Sequence, residues 1–313
     1  MFVFAPVQAQ DLYVSASDGS LITPRPPGEL IRDASIYRER WDTLSQIRFW
    51  QRIMHLPQDS SLINIAHTRE IIAAFPTTWY DKRSDEGKRA FKDSIIDAHC
   101  LSTDTRLYVT EGKQYYYKFD DVVPDIKRAI PIFREQETDP WFAQAILLIE
   151  SPGALRRSPT GAYGPFQLMK YVATSQGLVV NSKVDERSDF EKSAKAAASY
   201  LRKVCIPQAH ELVRSYGLSY SDSDTWFRLL VLHIYHAGAG NVRGVLSQIQ
   251  PQQGGIPLML AVWRTEYKGF RNASQNYSQI ALASLVELDR LTAPRPIGPI
   301  RPIMVPYPAI TTP

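Results

Sequence analysis

The stretch from Trp141 to Met169, WFAQAILLIESPGALRRSPTGAYGPFQLM, constrains this chain more than any other. Ala143, Ile146, Leu147 and Ile149 recur at helical spacing, so the stretch opens as an apolar helix that ends on a carboxylate, Glu150. Ser151, Pro152 and Gly153 then stop it, because proline lacks the N–H a helix needs and glycine gains too much freedom outside one. A loop of small residues returns through Gly161-Ala162-Tyr163-Gly164 to Gln167 and Met169, and its glycines let backbone approach a bulky ligand. A carboxyl at the mouth of an apolar helix is poorly solvated when charged. That raises its pKa and suits it to donating a proton near neutrality. A single Glu at a helix end is ordinarily a solvated surface residue, so the weight lies in what surrounds it.

Glu150-Ser151, followed by Ser158-x-x-Gly161-Ala162-x-Gly164-x-x-Gln167-x-Met169, resembles the catalytic signature of the soluble-lytic-transglycosylase family, which has the goose-type lysozyme fold. Within that family it is most similar to the membrane-bound lytic transglycosylase D type. Further blocks follow in the family's order: Asp185–Asp189, then Tyr235-His236-Ala237-Gly238 where the family has Tyr-Asn-x-Gly, then Tyr277. His236 departs from the usual Asn, and Ala273 stands where a glutamate is often found. The resemblance spans residues 137–290.

The resemblance implies a mainly α, lysozyme-like catalytic domain and an enzyme that cleaves peptidoglycan. Most glycosidases use two carboxylates, an acid and a nucleophile or base. The signature here supplies one, and a lytic transglycosylase makes the sugar its own nucleophile. By resemblance, Glu150 protonates the oxygen between N-acetylmuramic acid and N-acetylglucosamine. As a carboxylate it then takes the proton of the muramic acid 6-hydroxyl, closing a 1,6-anhydro ring without metal or cofactor. Ser158, Gln167 and Tyr235 are candidates for hydrogen bonds to the acetamido and hydroxyl groups. Met169 and Tyr163 offer apolar surface to a sugar ring, and Tyr277 can orient Glu150. The alternatives are a lysozyme-like hydrolase, which releases reducing ends, and a non-catalytic cell-wall binding or scaffold protein.

Composition bounds the rest. At 313 residues, 44% hydrophobic and 22% charged, the chain can bury a sizeable core in one large domain or two ordinary ones. A net charge of +4 suits a glycan bearing acidic peptides and is too mild and scattered for nucleic acid. No apolar run approaches the roughly 18 residues of a membrane span. MFVFAPVQAQ reads as the tail of a secretory signal with Val7-Gln8-Ala9 as its cleavage site, which places the protein in the periplasm or cell envelope, as a monomer. Cys100 and Cys205 cannot make a four-ligand metal site; in an exported protein they either pair or stay as two free thiols. His233 and His236 share a helix face but lack a third ligand, and Asp222 and Asp224 lack the calcium loop, so N-capping is expected of the aspartates.

Four segments are expected: a leader over 1–27, a helical N-terminal region over 28–136 packed on the catalytic domain, the catalytic domain over 137–291, and a Pro-rich tail over 292–313. Within the second, the spacing predicts a long amphipathic helix over 28–56, helices over 60–75 and 82–98, a β-hairpin over 106–119 turning at Glu111-Gly112, and a helix from Pro124 that Pro131 kinks or ends. Tyr115, Tyr116 and Tyr117 read as half-buried strand residues, with a sugar-stacking surface as the alternative. Helices are further expected at Pro140–Glu150, Lys170–Gln176, Phe190–Val204, up to the Gly238 cap, and Asn272–Leu291.

Overall fold

The computed structural model describes residues 13–14, 21–22, 29–150 and 157–292. The secretory-signal stretch, most of the leader, Ser151-Pro152-Gly153 and the Pro-rich tail from Ala293 lie outside the described residues. Inside the expected leader, Tyr13–Val14 and Leu21–Ile22 form a two-residue antiparallel ladder.

The protein is mainly α-helical. Two helices that are apolar nearly all round, and a longer third one buried along most of its length, make its centre. In the glutamate helix, Pro140–Glu150, every residue from Trp141 to Ile149 is buried. The central helix, Thr225–Ala237, buries all but Arg228 between Thr225 and Ile234. The terminal helix, Asn272–Thr292, packs against both and also against Ser45–His55 of the N-terminal region. One hydrophobic core therefore runs without interruption from Ile36 to Leu288.

Polar ties bind the N-terminal region to this core. Buried Gln144 accepts from the Ile31 N–H at 2.9 Å and donates to the Ile31 carbonyl at 2.8 Å, pairing a side-chain amide with backbone as a strand neighbour would. Arg228 bridges Asp33 (3.1 Å) and Asp139 (2.6 Å). Arg69, 5% exposed, donates to Asn272 at 2.8 Å and Asn276 at 2.7 Å, both on the first turns of the terminal helix. Its guanidinium also lies 5.4 Å from the Phe49 ring centre and 5.1 Å from that of Tyr108.

Several expectations for residues 28–136 are corrected. Instead of one long helix, 28–56 holds Ser35–Arg38, a 3-10 turn at Trp41–Thr43 and the helix Ser45–His55. Arg40, left-handed at φ 66°, makes the break, a conformation no helix periodicity reveals. The expected 60–75 helix is an antiparallel hairpin, Ser60–Ile65 with Ile71–Pro76, Leu62 opposite Ala74. Ser60–Ile65 is the central strand and is buried on both faces, so it reads as an apolar run without alternation. Its turn carries the left-handed residue Arg69 (φ 58°) in place of a glycine.

The expected 106–119 hairpin contributes one strand, Leu107–Glu111, which pairs with Ser60–Ile65 rather than with its own continuation. Tyr115–Tyr117 lie in the turn beyond it. The helix placed at Pro124 runs from Phe119 to Glu135 straight through Pro124 and Pro131. The buried face of Phe119, Val122, Ile126, Ala129, Ile130 and Phe133 outweighs the donors the two prolines lack.

The later helices lie where their caps and periodicity place them: Asp85–Ala98, Lys170–Ser175, Phe190–Tyr200 and Asn272–Thr292. Phe190–Tyr200 continues through a π turn at Leu201–Cys205 into Ile206–Ser215. Pro207 has no N–H for the carbonyl four residues back, and the helix widens just before it. Asp189 caps Phe190–Tyr200 through the Lys192 N–H at 3.0 Å. Asp224 is a correction: its carboxylate accepts from the Ser221 N–H at 2.9 Å and makes no cap bond to the helix it precedes. Cys100 is exposed and Cys205 buried, both as free thiols, so the disulfide alternative is excluded in this structure.

Candidate active site

Glu150 is delivered by the last turn of the glutamate helix, half-buried at the floor of a cleft enclosing about 1040 Å³. Burial pushes its pKa up to about 7, against a smaller downward pull from the Tyr277 hydroxyl. A helix C-terminus is the negative end of the helix dipole, which further disfavours a carboxylate there. Tyr116, from the N-terminal region, donates its hydroxyl to the Ile149 carbonyl at 3.2 Å, satisfying one of the acceptors that the helix end leaves open.

The return loop forms the facing wall. Ser158 starts it as a tight turn: its Oγ and its N–H bond the Ala162 N–H and carbonyl respectively, each at 2.9 Å. Tyr163 and Leu168 then exchange two backbone hydrogen bonds of 3.1 Å across a turn. That turn needs left-handed backbone at Gly164 (φ 84°) and Gln167 (φ 45°). Gly164 admits no substitute, since a Cβ there would sit 1.8 Å from the Arg187 carbonyl oxygen.

Beneath the loop, Arg187 is 1% exposed. It grips Asp185 with two bonds, 2.8 and 2.7 Å, and donates to the carbonyls of Gly161 and Leu168 at 2.9 Å each. The Arg187 hydrogen bond is the main reason the Asp185 carboxyl is held down at about 2. The Asp185–Asp189 run is thus the loop's foundation.

The central helix closes the cleft. Tyr235 lines it, but its hydroxyl is committed to the Phe166 carbonyl at 2.7 Å, so it braces the return loop. His236 also lines the cleft and stacks on the Tyr277 ring, 4.3 Å between centres and 21° between planes. Burial pushes the His236 imidazole down to about 4, so it is neutral at pH 7. Tyr277 itself is buried behind Glu150. Its hydroxyl completes no hydrogen bond of full geometry among the described residues, yet lies near enough to Glu150 to lower its pKa. Burial, then the Glu150 charge, push both tyrosines well above their ordinary pKa.

Of the residues singled out from sequence, the cleft brings together Glu150, Ser158, Gln167, Met169 and Tyr235. Two stand elsewhere. Tyr163 does not line the cleft: the Arg157 and Arg187 guanidinium carbons lie 4.6 and 5.5 Å from its ring centre. Tyr277 touches Glu150 from behind and presents no cleft surface. Gln167 donates to the Gly164 carbonyl at 3.0 Å, so its side chain also serves the turn.

Sequence reasoning passed over Thr160, Tyr171, Tyr200 and the cleft-lining role of His236. Tyr171 and Tyr200 sit in ordinary helices, and only the packing of Lys170–Ser175 beside Phe190–Tyr200 brings both to the edge of one cleft. His233 is buried away from the cleft with Nε2 2.8 Å from Ser278 Oγ, and burial pushes it down to about 3. No group of three or more His, Cys, Asp or Glu suited to a metal occurs among the described residues.

Glu150 is the one carboxylate among the described residues lining the cleft, and residues 151–156 contain no Asp or Glu. This arrangement offers a proton donor and acceptor near pH 7, neutral hydrogen-bonding groups around it, and apolar walls from Leu168, Met169 and Val172. No helix among the described residues is long and apolar enough to cross a membrane. No curated protein and no solved structure matches the chain. Residues 133–253 match the family model described as Transglycosylase SLT domain, a range that holds Glu150, the return loop, the Arg187–Asp185 foundation and the central helix. Over this span the chain is similar to the transglycosylase SLT domain, whose family members are lytic transglycosylases, and it is a lyase-type enzyme that cleaves peptidoglycan.

Proposed function

We propose that the cleft cleaves the β-1,4 bond between N-acetylmuramic acid and N-acetylglucosamine with formation of 1,6-anhydro-N-acetylmuramic acid, and that Glu150 serves as both acid and base. The observation that carries this reading is the lone cleft carboxylate with a pKa raised to about 7. A protonated Glu150 gives its proton to the glycosidic oxygen as that bond breaks, and the substrate acetamido oxygen supports the cationic carbon. The resulting carboxylate takes the proton of the 6-hydroxyl as that oxygen attacks the same carbon. Glu150 thus returns to its starting state and no water is consumed. A hydrolase of the same fold would need a second group to activate water on the opposite face, and the described residues of the cleft walls supply no second carboxylate for it.

Ser158 and Gln167 supply polar groups at the loop side of the cleft, Tyr235 its braced wall, and Met169 apolar surface; Tyr277 tunes Glu150. The D-type likeness, the catalytic span of 137–291, a monomeric state and a periplasmic or cell-envelope location complete the proposal. Its support is the motif order for the first two and the N-terminal stretch for the last. The test is mass spectrometry of soluble products from purified peptidoglycan. Anhydro-muropeptides from wild type and none from Glu150→Gln are expected. Reducing ends would establish a hydrolase, and binding without any product would establish a scaffold.

A further inference from the structure

His233 and His236 stand one turn apart on the central helix, and no third ligand makes a metal site of them. Both reach the terminal helix instead. His233 is buried and meets it at Ser278, Nε2 to Oγ 2.8 Å, a hydroxyl that also accepts from Trp263 Nε1 at 2.8 Å. His236 meets the neighbouring residue, stacking on Tyr277 with 4.3 Å between ring centres and 21° between planes. The first imidazole thus fixes the helix that carries Tyr277, and the second fixes the tyrosine ring itself.

The placing of that ring matters because one hydroxyl acts on Glu150. Burial raises the carboxyl, and the opposing pull comes from the Tyr277 hydroxyl at the far end of its ring. A hydrogen bond weakens steeply as its angle closes, so a modest swing of the ring removes the effect. His236 lines the cleft and is exposed there, whereas Tyr277 is 4% exposed and does not line it. The imidazole therefore stands between the cleft and the tyrosine, with one face open and the other spent on the stack. Asparagine, the residue the resemblance expects at this position, has no ring with which to do this.

We propose that His236 is a positioning residue: by stacking on Tyr277 it seats the tyrosine hydroxyl on Glu150, and so sets how readily that carboxyl gives up its proton. The inference rests on the reading of Glu150 as acid and base. It adds a residue that acts through its ring face and not through its nitrogens.

Two substitutions separate the face from the nitrogens. His236→Asn deletes the ring and keeps hydrogen-bonding capacity, while His236→Phe keeps a ring and deletes that capacity. His236 is exposed in the last turn of its helix, so both changes leave the fold intact, which a melting curve verifies. The main readout is the titration of the Glu150 carboxyl, followed by carbon-13 NMR of glutamate-labelled full-length protein and assigned with Glu150→Gln. Among the described residues, the groups whose charges couple to Glu150 are Tyr117, Tyr235 and Tyr277, all held above their ordinary range, and His236 is held down at about 4. A step near pH 7 therefore belongs to Glu150.

His236→Asn should raise that step by about half a unit to one unit, in the direction expected of Tyr277→Phe, and His236→Phe should leave it within about 0.2. In the Tyr277→Phe background, His236→Asn should add nothing further. The alkaline limb of kcat/KM on purified peptidoglycan should follow the same order. A step that falls in His236→Asn would mean that the imidazole shields Glu150 from water, and would overturn the proposal. Equal shifts in the two variants would overturn it as well. A raised KM in His236→Phe with no shift in His236→Asn would make His236 a substrate contact, and the positioning role would be lost. Should wild type release no products, the transglycosylase reading fails, and the titration, which needs no substrate, still decides what His236 does.

Discussion

Replacing Glu150 with glutamine should make this protein more stable, and more so the higher the pH. The carboxyl ionises near 4.5 in an unfolded chain and near 7 in the folded one, a difference of 2.5 units. Between those values the folded protein holds a proton that the unfolded chain has released, so the unfolded state binds fewer protons and unfolding becomes easier as pH rises. Below about pH 4 both forms are protonated and there is no penalty. Above about pH 7 the penalty is complete, and at 1.36 kcal/mol per unit it comes to about 3 kcal/mol. A neutral amide of the same shape removes it. Urea unfolding followed by circular dichroism, for wild type and Glu150→Gln at pH 4 and pH 8.5, reads this directly. The variant should match wild type at the low pH and exceed it by about 3 kcal/mol at the high one. An equal difference at both pH values would place the effect in packing rather than ionisation. A variant less stable at pH 8.5 would refute the idea that burial raises this carboxyl.

Other consequences follow from the same geometry. Tyr277→Phe deletes the hydroxyl that draws Glu150 down, so the alkaline limb of the kcat/KM profile should move up by about one unit from near pH 7; an unmoved limb would show that the hydroxyl does not reach the carboxyl. Gly164→Ala forces a Cβ onto the Arg187 carbonyl at a left-handed φ, and should cost about 2 kcal/mol or more and abolish activity by displacing the return loop, as denaturant titration and turnover would show. Arg69→Ala removes the Asn276 Oδ1 donor, leaves Asn272 Oδ1 only the Asn276 amide, and uncouples the hairpin from the terminal helix, an expected loss of about 2–4 kcal/mol. If Arg69→Ala melts like wild type, that coupling is not what holds the N-terminal region. Reducing agent should leave the melting temperature unchanged, because Cys100 and Cys205 are free thiols.

The N-terminal region belongs to the working of the site as well as to its core. Tyr116 reaches the Ile149 carbonyl beside Glu150, and the terminal helix that carries Tyr277 is pinned at its start by Arg69. Both Tyr116 and Tyr277 lie outside the matched span of 133–253. The setting of Glu150 therefore depends partly on chain outside that span, Tyr277 on its acidity and Tyr116 on the helix end that carries it.

The sequence by itself determined the glutamate helix, its carboxylate end and the loop that faces it. Those features rest on local chemistry: an unbroken apolar run, Asp139 accepting from the Trp141 N–H, glycines at a tight turn, and the Asp185–Asp189 acids beside Arg187. It determined the central and terminal helices for the same reason, since long apolar periodicity survives any environment. It misplaced the sheet, because Ser60–Ile65 is buried on both faces and loses the alternation that marks a strand, while Arg69 takes the turn position where glycine is the signal. Only the tertiary structure decided that Tyr163 is spent on Arg157 and Arg187 and that His236 stacks on Tyr277. Those relations join residues from separate helices and loops, and their distances are set by how the helices pack, a quantity no local pattern encodes.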